Sequence, residues 1–283
     1  MSAFQGGVAS RLGLPLPSIE HLGLMTILHT VAGWLAVAAE AVSAMMAATA
    51  EDKGGFAMLK VWGRRSSFNL QKVMWLVGEL GLAHEHIPAG GDFGLNDTPE
   101  FLAMNPHGRV PVIDDDGTVV WESHTILRYL AAKYGRGRFW SDDPGERSLA
   151  ERWMDWSQAS LQADFLIGVF WGFYRTPEAQ RNMPAVNARI RACTRHFQLL
   201  DRILADRPFL CGDSLTLADI PAGTSLYRYF GIDIERPSVP NVEAWYRRLQ
   251  ERPAYREHIM VPFGELYGGS IIRPRSAGMT WGG

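Results

Sequence analysis

The sequence predicts two joined units, a small mixed α/β sheet flanked by helices and then an all-helical domain. Three observations carry that expectation. From Met58 onward, strand-like and helix-like runs follow the order β-α-β-α-β-β-α within about 80 residues. Beyond Gly135 the strand signals stop, and apolar residues recur at helical spacing over long runs. Between these regions, Val110-Pro111 and Glu122-Ser123 mark two special backbone positions near the end of the sheet.

Composition bounds the function classes. A chain of 283 residues is long enough for two modest domains with buried cores. Hydrophobic residues at 47% and charged residues at 20% describe an ordinary globular protein. The net charge of −2, with no Lys/Arg stripe, leaves no electrostatic footprint for nucleic acid. Cys193 and Cys211 form no C-x-x-C and stand at no metal-ligand spacing. They imply incidental thiols of a reduced, cytoplasmic chain, with no disulfide framework, no metal and no catalysis by a protein cysteine.

Residues 1–57 carry no chemistry, and three readings of this extension stay open. No formally charged side chain occurs from His21 to Ala39, near the ~20 residues that a membrane-spanning helix requires, although Gly23, Thr26, His29, Thr30 and Gly33 dilute the run. Ala48-Thr49-Ala50 resembles a signal-peptide cleavage site, yet Arg11 is the single leader cation. The third reading is a start at Met58, directly before the first strand. A membrane partner is expected only if the extension is an anchor.

The elements follow in order. Leu59–Trp62 is a short strand broken by Gly63. Val73, Leu76, Val77 and Leu80 then repeat on one helical face, ended by Gly81. His84–Ile87 reads as a second strand closed by Pro88, and a Gly/Asp/Asn-rich loop leads to Pro106. Residues 110–113 read as a strand, Asp114-Asp115-Asp116-Gly117 as a hairpin turn, and Thr118–Trp121 as the partner strand. Ser123 opens a helix with Ile126, Leu127 and Leu130 inward. The first unit spans residues 58–140.

A polar linker (135–145) leads to the second unit, residues 146–263. Trp153, Trp156, Leu161, Phe165 and Val169 are spaced for one buried face, and Ile190, Phe197, Leu200 and Leu204 for another. Thr216 and Asp219 have capping-box spacing, with Leu215 and Ile220 as a hydrophobic staple. Such a cap is worth ~1 kcal/mol and speaks first of folding. Pro221 falls in the second turn of that helix, where its missing N–H begins to cost a bond. Residues 264–283 read as a Gly/Arg-rich flexible tail.

Val110-Pro111 and Glu122-Ser123 admit two readings. If the Val110–Pro111 bond is cis, the backbone polar groups of Val110 turn outward and can pair with a bound peptide. At Glu122-Ser123, free backbone N–H groups and a hydroxyl at a helix start favour a carboxylate. A tight turn followed by a helix cap is the other reading.

In these motifs the chain resembles a glutathione S-transferase of the cytosolic, bacterial type. The matching pieces are Gly63-Arg64-Arg65-Ser66-Ser67-Phe68-Asn69-Leu70-Gln71-Lys72-Val73, Asn105-Pro106-His107-Gly108-Arg109-Val110-Pro111, Glu122-Ser123 and Thr216-Leu217-Ala218-Asp219, in order from Met58 to about Phe263. The resemblance implies a thioredoxin-like N-terminal domain, an all-helical C-terminal domain and a homodimer. It implies glutathione as substrate, with the Val110 backbone beside Pro111 pairing with its cysteinyl part. Glu122 and Ser123 would hold its γ-glutamyl end, and Arg109, with His107 nearby, its glycyl carboxylate.

Classes of this family use Tyr, Ser or Cys beside the sulfur, and some bacterial members use a Thr/Ser-x-Asn pair. Ser67 and Asn69 fit that pattern, and Arg64, Arg65 and Ser66 stay open as rival donors. Lowering a thiol pKa from ~8.5 by ~2 units requires ~2.7 kcal/mol of preferential thiolate stabilisation. One hydrogen bond to a charged group is worth ~1.5–3 kcal/mol. A Ser67 hydroxyl, helped by Asn69 and a helix N-terminus, therefore suffices without a general base.

The aromatic run Phe170-Trp171-Gly172-Phe173-Tyr174-Arg175 is either core or the wall of an electrophile pocket, and Asp164 is a candidate to reach a partner's glutathione. The expected activity is conjugation of glutathione to a small hydrophobic electrophile. Peroxide or disulfide reduction by glutathione, and a catalytically silent binding protein, are the alternatives.

Overall fold

The structure is a computed structural model that describes residues 58–269. The extension 1–57, with its three readings, and residues 270–283 lie outside the described residues.

Four short strands form one mixed sheet in the order β2-β1-β3-β4. β1 (Leu59–Trp62) is parallel to β2 (His84–Ile87) and antiparallel to β3 (Val112–Asp115), which pairs antiparallel with β4 (Thr118–Trp121). The hairpin is shifted from the expected place. Asp114 and Asp115 belong to the strand, and the turn is Asp116-Gly117 alone, both at positive φ (54° and 81°). A two-residue turn of that handedness matches the twist of the strands it joins, so it displaces the four-residue alternative.

Helix α1 (Phe68–Leu80) crosses from β1 to β2 and ends at Gly81, whose left-handed backbone (φ 63°) lets Gly81 and Leu82 donate to Gly78 and Val77. The expected order β-α-β-α-β-β-α holds, and its second helix, left without bounds in the Gly/Asp/Asn-rich segment, is α2 (Pro99–Met104). Thr98 caps it, accepting from the Phe101 N–H, and Pro99 sits at its first position. Six residues are too few for apolar periodicity to register. Helix α3 (Ser123–Tyr134) buries Ile126, Leu127 and Leu130 as expected.

Helix α4 (Pro144–Trp156) is capped by Asp143 and runs unbroken into α5 (Ser157–Arg175), whose turns widen to i→i+5 bonding. Leu161, Phe165 and Val169 are buried, but Trp153 and Trp156 are only half-buried; Met154 takes the inner position. The two tryptophans pack edge to face on each other (5.3 Å), and Trp156 on His196 (5.4 Å). Helix α6 (Met183–Ile203) buries Phe197 and Leu200, and is followed by α7 (Asp219–Gly231), α8 (Pro240–Gln250) and α9 (Pro253–His258). Because α7 begins at Asp219, Pro221 lies in its first turn, where no intrahelical N–H is required and none is lost.

One continuous apolar core joins the sheet unit to the helical unit. Trp75 of α1 meets Tyr255 of α9 edge to face at 4.8 Å, and Phe197 stacks on Tyr229 at 3.6 Å. A carboxylate reinforces the same seam. Glu79, near the end of α1, accepts from Arg252 twice (2.6 Å each), from Arg138 (2.7 Å) and from Trp75 Nε1 (3.1 Å). At the start of the segment read as a tail, Gly264–Leu266 forms a 3-10 turn, and Gly268 N–H donates to the Tyr174 carbonyl.

Candidate active site

Three backbone features lie around the open end of the sheet. The first is the N-terminus of α1. Ser67 caps it, its Oγ accepting from the Leu70 N–H at 3.5 Å, the long limit of such a bond. That contact uses a lone pair, so the hydroxyl proton stays available to a ligand. Asn69 is half-buried in the first turn; its Oδ1 accepts from Lys72 Nζ at 3.1 Å, and among the described residues its amide nitrogen makes no hydrogen bond.

The rival donors separate. Arg65 is exposed and turned to α9, where its guanidinium donates to the Glu257 carbonyl (3.3 Å). Ser66 is buried, and its carbonyl accepts from Arg228 Nη2 at 2.8 Å. Arg64 lies beside Gly90 and Gly91, and its Nη1 and the Val110 methyls both border the space a Cβ on Gly90 would fill. It alone of the three stays next to the Val110 loop.

The second feature is that loop. The Val110–Pro111 bond is cis, Pro111 is buried, and the paired register of β3 starts only at Val112. The Val110 backbone therefore stands outside the ladder. Asn105, itself buried, braces the turn by donating to the Arg109 carbonyl (2.8 Å) and accepting from the His107 N–H (3.0 Å). Gly108 has φ 59°, and a Cβ there would lie 2.8 Å from the Asn96 carbonyl oxygen, so this tight corner requires glycine. His107 and Arg109 are exposed; the His107 ring lies 5.4 Å from Trp121, and neither side chain makes a hydrogen bond among the described residues.

The third feature is the start of α3. Glu122 is exposed and held at φ 69°, a left-handed conformation costly for a residue with a side chain. Ser123 follows, buried, as the first helical residue, and the first-turn N–H groups of α3 have no intrahelical acceptors.

Buried beneath these features is a polar network that sequence reading missed. Lys72 is fully buried and donates to Asn69 Oδ1 (3.1 Å) and Gln162 Oε1 (2.6 Å), with Nζ also 3.1 Å from His124 Nε2. Burial drives the Lys72 ammonium down to about 7, opposed by the nearby Glu122 carboxylate. Burial, with the charges of Lys72 and Arg128, drives His124 down to about 2, and its Nδ1 is buried with no hydrogen-bond partner among the described residues. The one sequence signal was a lysine directly beside Val73, on the buried side of α1.

Two further groups are set by packing. Arg228 is fully buried between the Phe68 and Phe170 rings (5.4 and 4.8 Å) and held down to about 9 by burial and by the charges of Arg175 and Arg64. Asp164 is engaged within the chain, by Arg189 (2.6 Å) and His196 (2.8 Å). In the aromatic run, Phe170 belongs to the core, whereas Trp171, Phe173 and Tyr174 are half-buried. Burial pushes the Cys193 thiol up to about 12 and raises that of Cys211, so neither supplies a thiolate. Among the described residues no cluster of His, Cys, Asp or Glu is fit to hold a metal, and no helix is long and apolar enough to cross a membrane. Cavities of about 210 and 410 Å³ lie beside His84, His86 and His258 and beside Glu79 and Arg252; neither is lined by Ser67, Val110 or Ser123.

Comparison with known proteins agrees with this geometry. The glutathione S-transferase N-terminal domain model matches residues 57–132, and the C-terminal domain model residues 163–253. Glutathione S-transferase GstB of Escherichia coli is 41% identical over 207 residues, covering 72% of this chain and 99% of the relative. The chain belongs to the glutathione S-transferase family. A theta-class glutathione S-transferase from Xanthomonas axonopodis pv. citri, solved with glutathione bound, superposes with a TM-score of 0.68 at 42% identity, over 72% of this chain and 98% of that one. A transferase from Pseudomonas fluorescens gives 0.60 at 27% identity, over 70% and 97%. The N-terminal match takes in the α1 N-terminus, the cis-proline loop and the α3 start, so the three features fall within a single family domain.

Proposed function

We propose that this glutathione transferase stabilises the glutathione thiolate with the Ser67 hydroxyl and the Asn69 amide, and adds the sulfur to a small apolar electrophile. Residues 58–140 form the glutathione-binding unit and residues 146–263 the unit that faces the electrophile. The Val110 backbone pairs with the cysteinyl part of the peptide, Glu122 and Ser123 hold the γ-glutamyl end, and Arg109 with His107 takes the glycyl carboxylate. The protein works in the cytoplasm as a homodimer.

One observation carries this reading: three sets of uncommitted donors and acceptors converge, and each suits one part of a thiol tripeptide. Ser67 keeps its hydroxyl proton, Asn69 its amide N–H groups, Val110 its backbone outside the ladder, and α3 its first-turn N–H groups. The thiol proton passes to water. Two hydrogen bonds to a thiolate are worth ~3 kcal/mol or more, enough to lower the thiol pKa by ~2 units. The thiolate then attacks, a C–S bond forms, and with an aryl halide the halide leaves with the electron pair. Trp171, Phe173 and Tyr174 offer the acceptor a partly apolar wall.

Retention on immobilised glutathione, followed by turnover with an aryl halide and with a hydroperoxide, tests the activity. Aryl-halide turnover is expected to dominate; dominant hydroperoxide turnover would replace conjugation by reduction, and failure to bind glutathione would sink both. The ultraviolet absorbance of bound thiolate, titrated in Ser67→Ala and Asn69→Ala, tests the donors. Each variant should raise the bound thiol pKa by ~1 unit or more; an unchanged pKa in both would shift the role to Arg64.

A further inference from the structure

We infer that Lys72 is a positioning residue for catalysis: its buried ammonium holds the Asn69 side-chain oxygen inward and so aims the Asn69 amide N–H groups at the glutathione sulfur. The inference rests on the reading of Asn69 as a thiolate donor and adds the group that orients it.

An ammonium has three donors and no acceptor. Around Lys72 stand three acceptors, Asn69 Oδ1, Gln162 Oε1 and His124 Nε2, at 3.1, 2.6 and 3.1 Å. The three donors are thereby used up, and among the described residues no carboxylate touches the charge. The two ends of an asparagine amide differ in chemistry but little in shape, so the surrounding hydrogen bonds decide which way it points. Turned over, Asn69 would set its NH₂ donors against an ammonium, two donors with no acceptor between them. With Lys72 charged, the oxygen must face inward, and the NH₂ group is left on the half-exposed side of α1, in the same turn as the Ser67 hydroxyl.

Packing alone does not account for a cation here. Lys72 leaves water with polar but uncharged neighbours, a costly burial, and a methionine would fill the same space without it. The groups that face it come from three elements. Asn69 and the Phe68 ring (5.0 Å) lie on its own helix, Gln162 on α5, and His124 at the start of α3 next to Glu122 and Ser123. Arg128, a turn further along α3, is felt by His124. Glu122 is the acidic group whose charge favours the ammonium. Lys72 thus connects the α1 turn proposed to hold the sulfur with the α3 turn proposed to hold the γ-glutamyl end. Negative charge on bound glutathione keeps it protonated, while in the free protein it loses its proton as the pH rises through about 7.

Two measurements test this. In the free wild-type protein, the Asn69 side-chain amide NMR signals should move with the same midpoint as the Lys72 side-chain signals; Asn69 signals indifferent to that titration would overturn the inference without reference to glutathione. In Lys72→Met, the bound thiol pKa should rise by about one unit, tenfold less thiolate at a pH below both values, with glutathione affinity within about threefold of wild type. In an Asn69→Ala background the same substitution should add little, because Lys72 acts through Asn69. A folded Lys72→Met with an unchanged thiol pKa, or a shift of equal size without Asn69, would refute it. If Lys72→Met does not fold, the NMR titration decides. Wild-type protein that fails to bind glutathione would instead remove the underlying reading, and the two failures are distinct.

Discussion

Replacing Glu79 by alanine should loosen the seam between the two units while leaving the chemistry untouched. The carboxylate is almost wholly buried, with 6% of its side chain exposed, and it receives four hydrogen bonds from Arg252, Arg138 and Trp75. The Arg252 and Arg138 side chains are 28% and 49% exposed, so water replaces most of what they lose. Counting ~1–2 kcal/mol for the bidentate Arg252 contact, under ~1 for Arg138 and ~1 for the orphaned Trp75 N–H gives a loss of ~2–4 kcal/mol. For a domain of this size that is a fall in Tm of ~4–16 °C. Burial would push the Glu79 carboxyl up, but its hydrogen bonds and ion pairs with Arg252, the Trp75 bond and the Arg138 bond outweigh it, and the folded-state pKa is lowered. A lowered carboxyl pKa contributes stability above the unfolded value of ~4.3, and that contribution is lost as the pH falls through the folded value. Urea unfolding followed by tryptophan fluorescence should therefore show a wide gap between wild type and Glu79→Ala at neutral pH, closing in acid. Ser67 caps the opposite end of the 13-residue helix, so the bound thiol pKa should not move. A gap below ~0.5 kcal/mol at neutral pH, within the usual scatter of inert surface changes, or a gap that ignores pH, would refute the reasoning.

Three other substitutions probe separate contacts. Asp219→Ala removes a buried carboxylate that accepts from Leu210 N–H, Thr216 N–H and Thr216 Oγ1 and should cost ~2–4 kcal/mol in urea unfolding. Burial, only partly offset by the Leu210 and Thr216 hydrogen bonds, raises this group to about 6, so its gap to wild type should narrow as the pH rises through that value, opposite to Glu79. Gly223→Ala brings a Cβ to 2.9 Å from Leu249 and 3.0 Å from Trp75, and should lower stability by ~1–3 kcal/mol through overpacking. Arg228→Met removes the donor that holds the Ser66 carbonyl next to Ser67, so kcat/KM for an aryl halide should fall about tenfold or more, the loss expected for one misplaced contact near the reacting sulfur.

The strands, α1 and α3 were legible because their signals are local. Alternation, Gly81 at a helix end and Asp116-Gly117 in a turn act over a few residues, whatever the rest of the chain does. The Thr216/Asp219 box was only half legible, since Asp219 reaches back to the Thr216 N–H but α7 starts after Ala218, with no side-chain cap. The hairpin boundary slipped because three consecutive aspartates look alike in sequence, and only the pairing register shows that two of them lie in the strand. Helix α2 had a place in the element order but no bounds, because one capped turn and a half leaves no periodic trace. Lys72, Arg228 and Glu79 were illegible for a different reason. A charged residue reads as a surface residue unless its partners are known, and beyond Asn69 and Trp75, one helical turn away, the partners here stand 52 to 173 positions off in sequence.

Ser67 shows why short polar motifs stay ambiguous until hydrogen bonds can be counted. A hydroxyl has two lone pairs and one proton. The helix cap draws on a lone pair, through a long contact to the Leu70 N–H, and leaves the proton unspent. Capping and thiolate donation are therefore compatible uses of the same atom. The cap fixes where the oxygen sits at the α1 N-terminus, and the free proton is what an anionic sulfur needs there. Asn69 divides in the same manner: its oxygen is committed to Lys72, and its nitrogen is uncommitted among the described residues. In both residues the accepting atoms face the protein, and the donating atoms are uncommitted among the described residues. That division is what the proposed thiolate role of Ser67 and Asn69 requires.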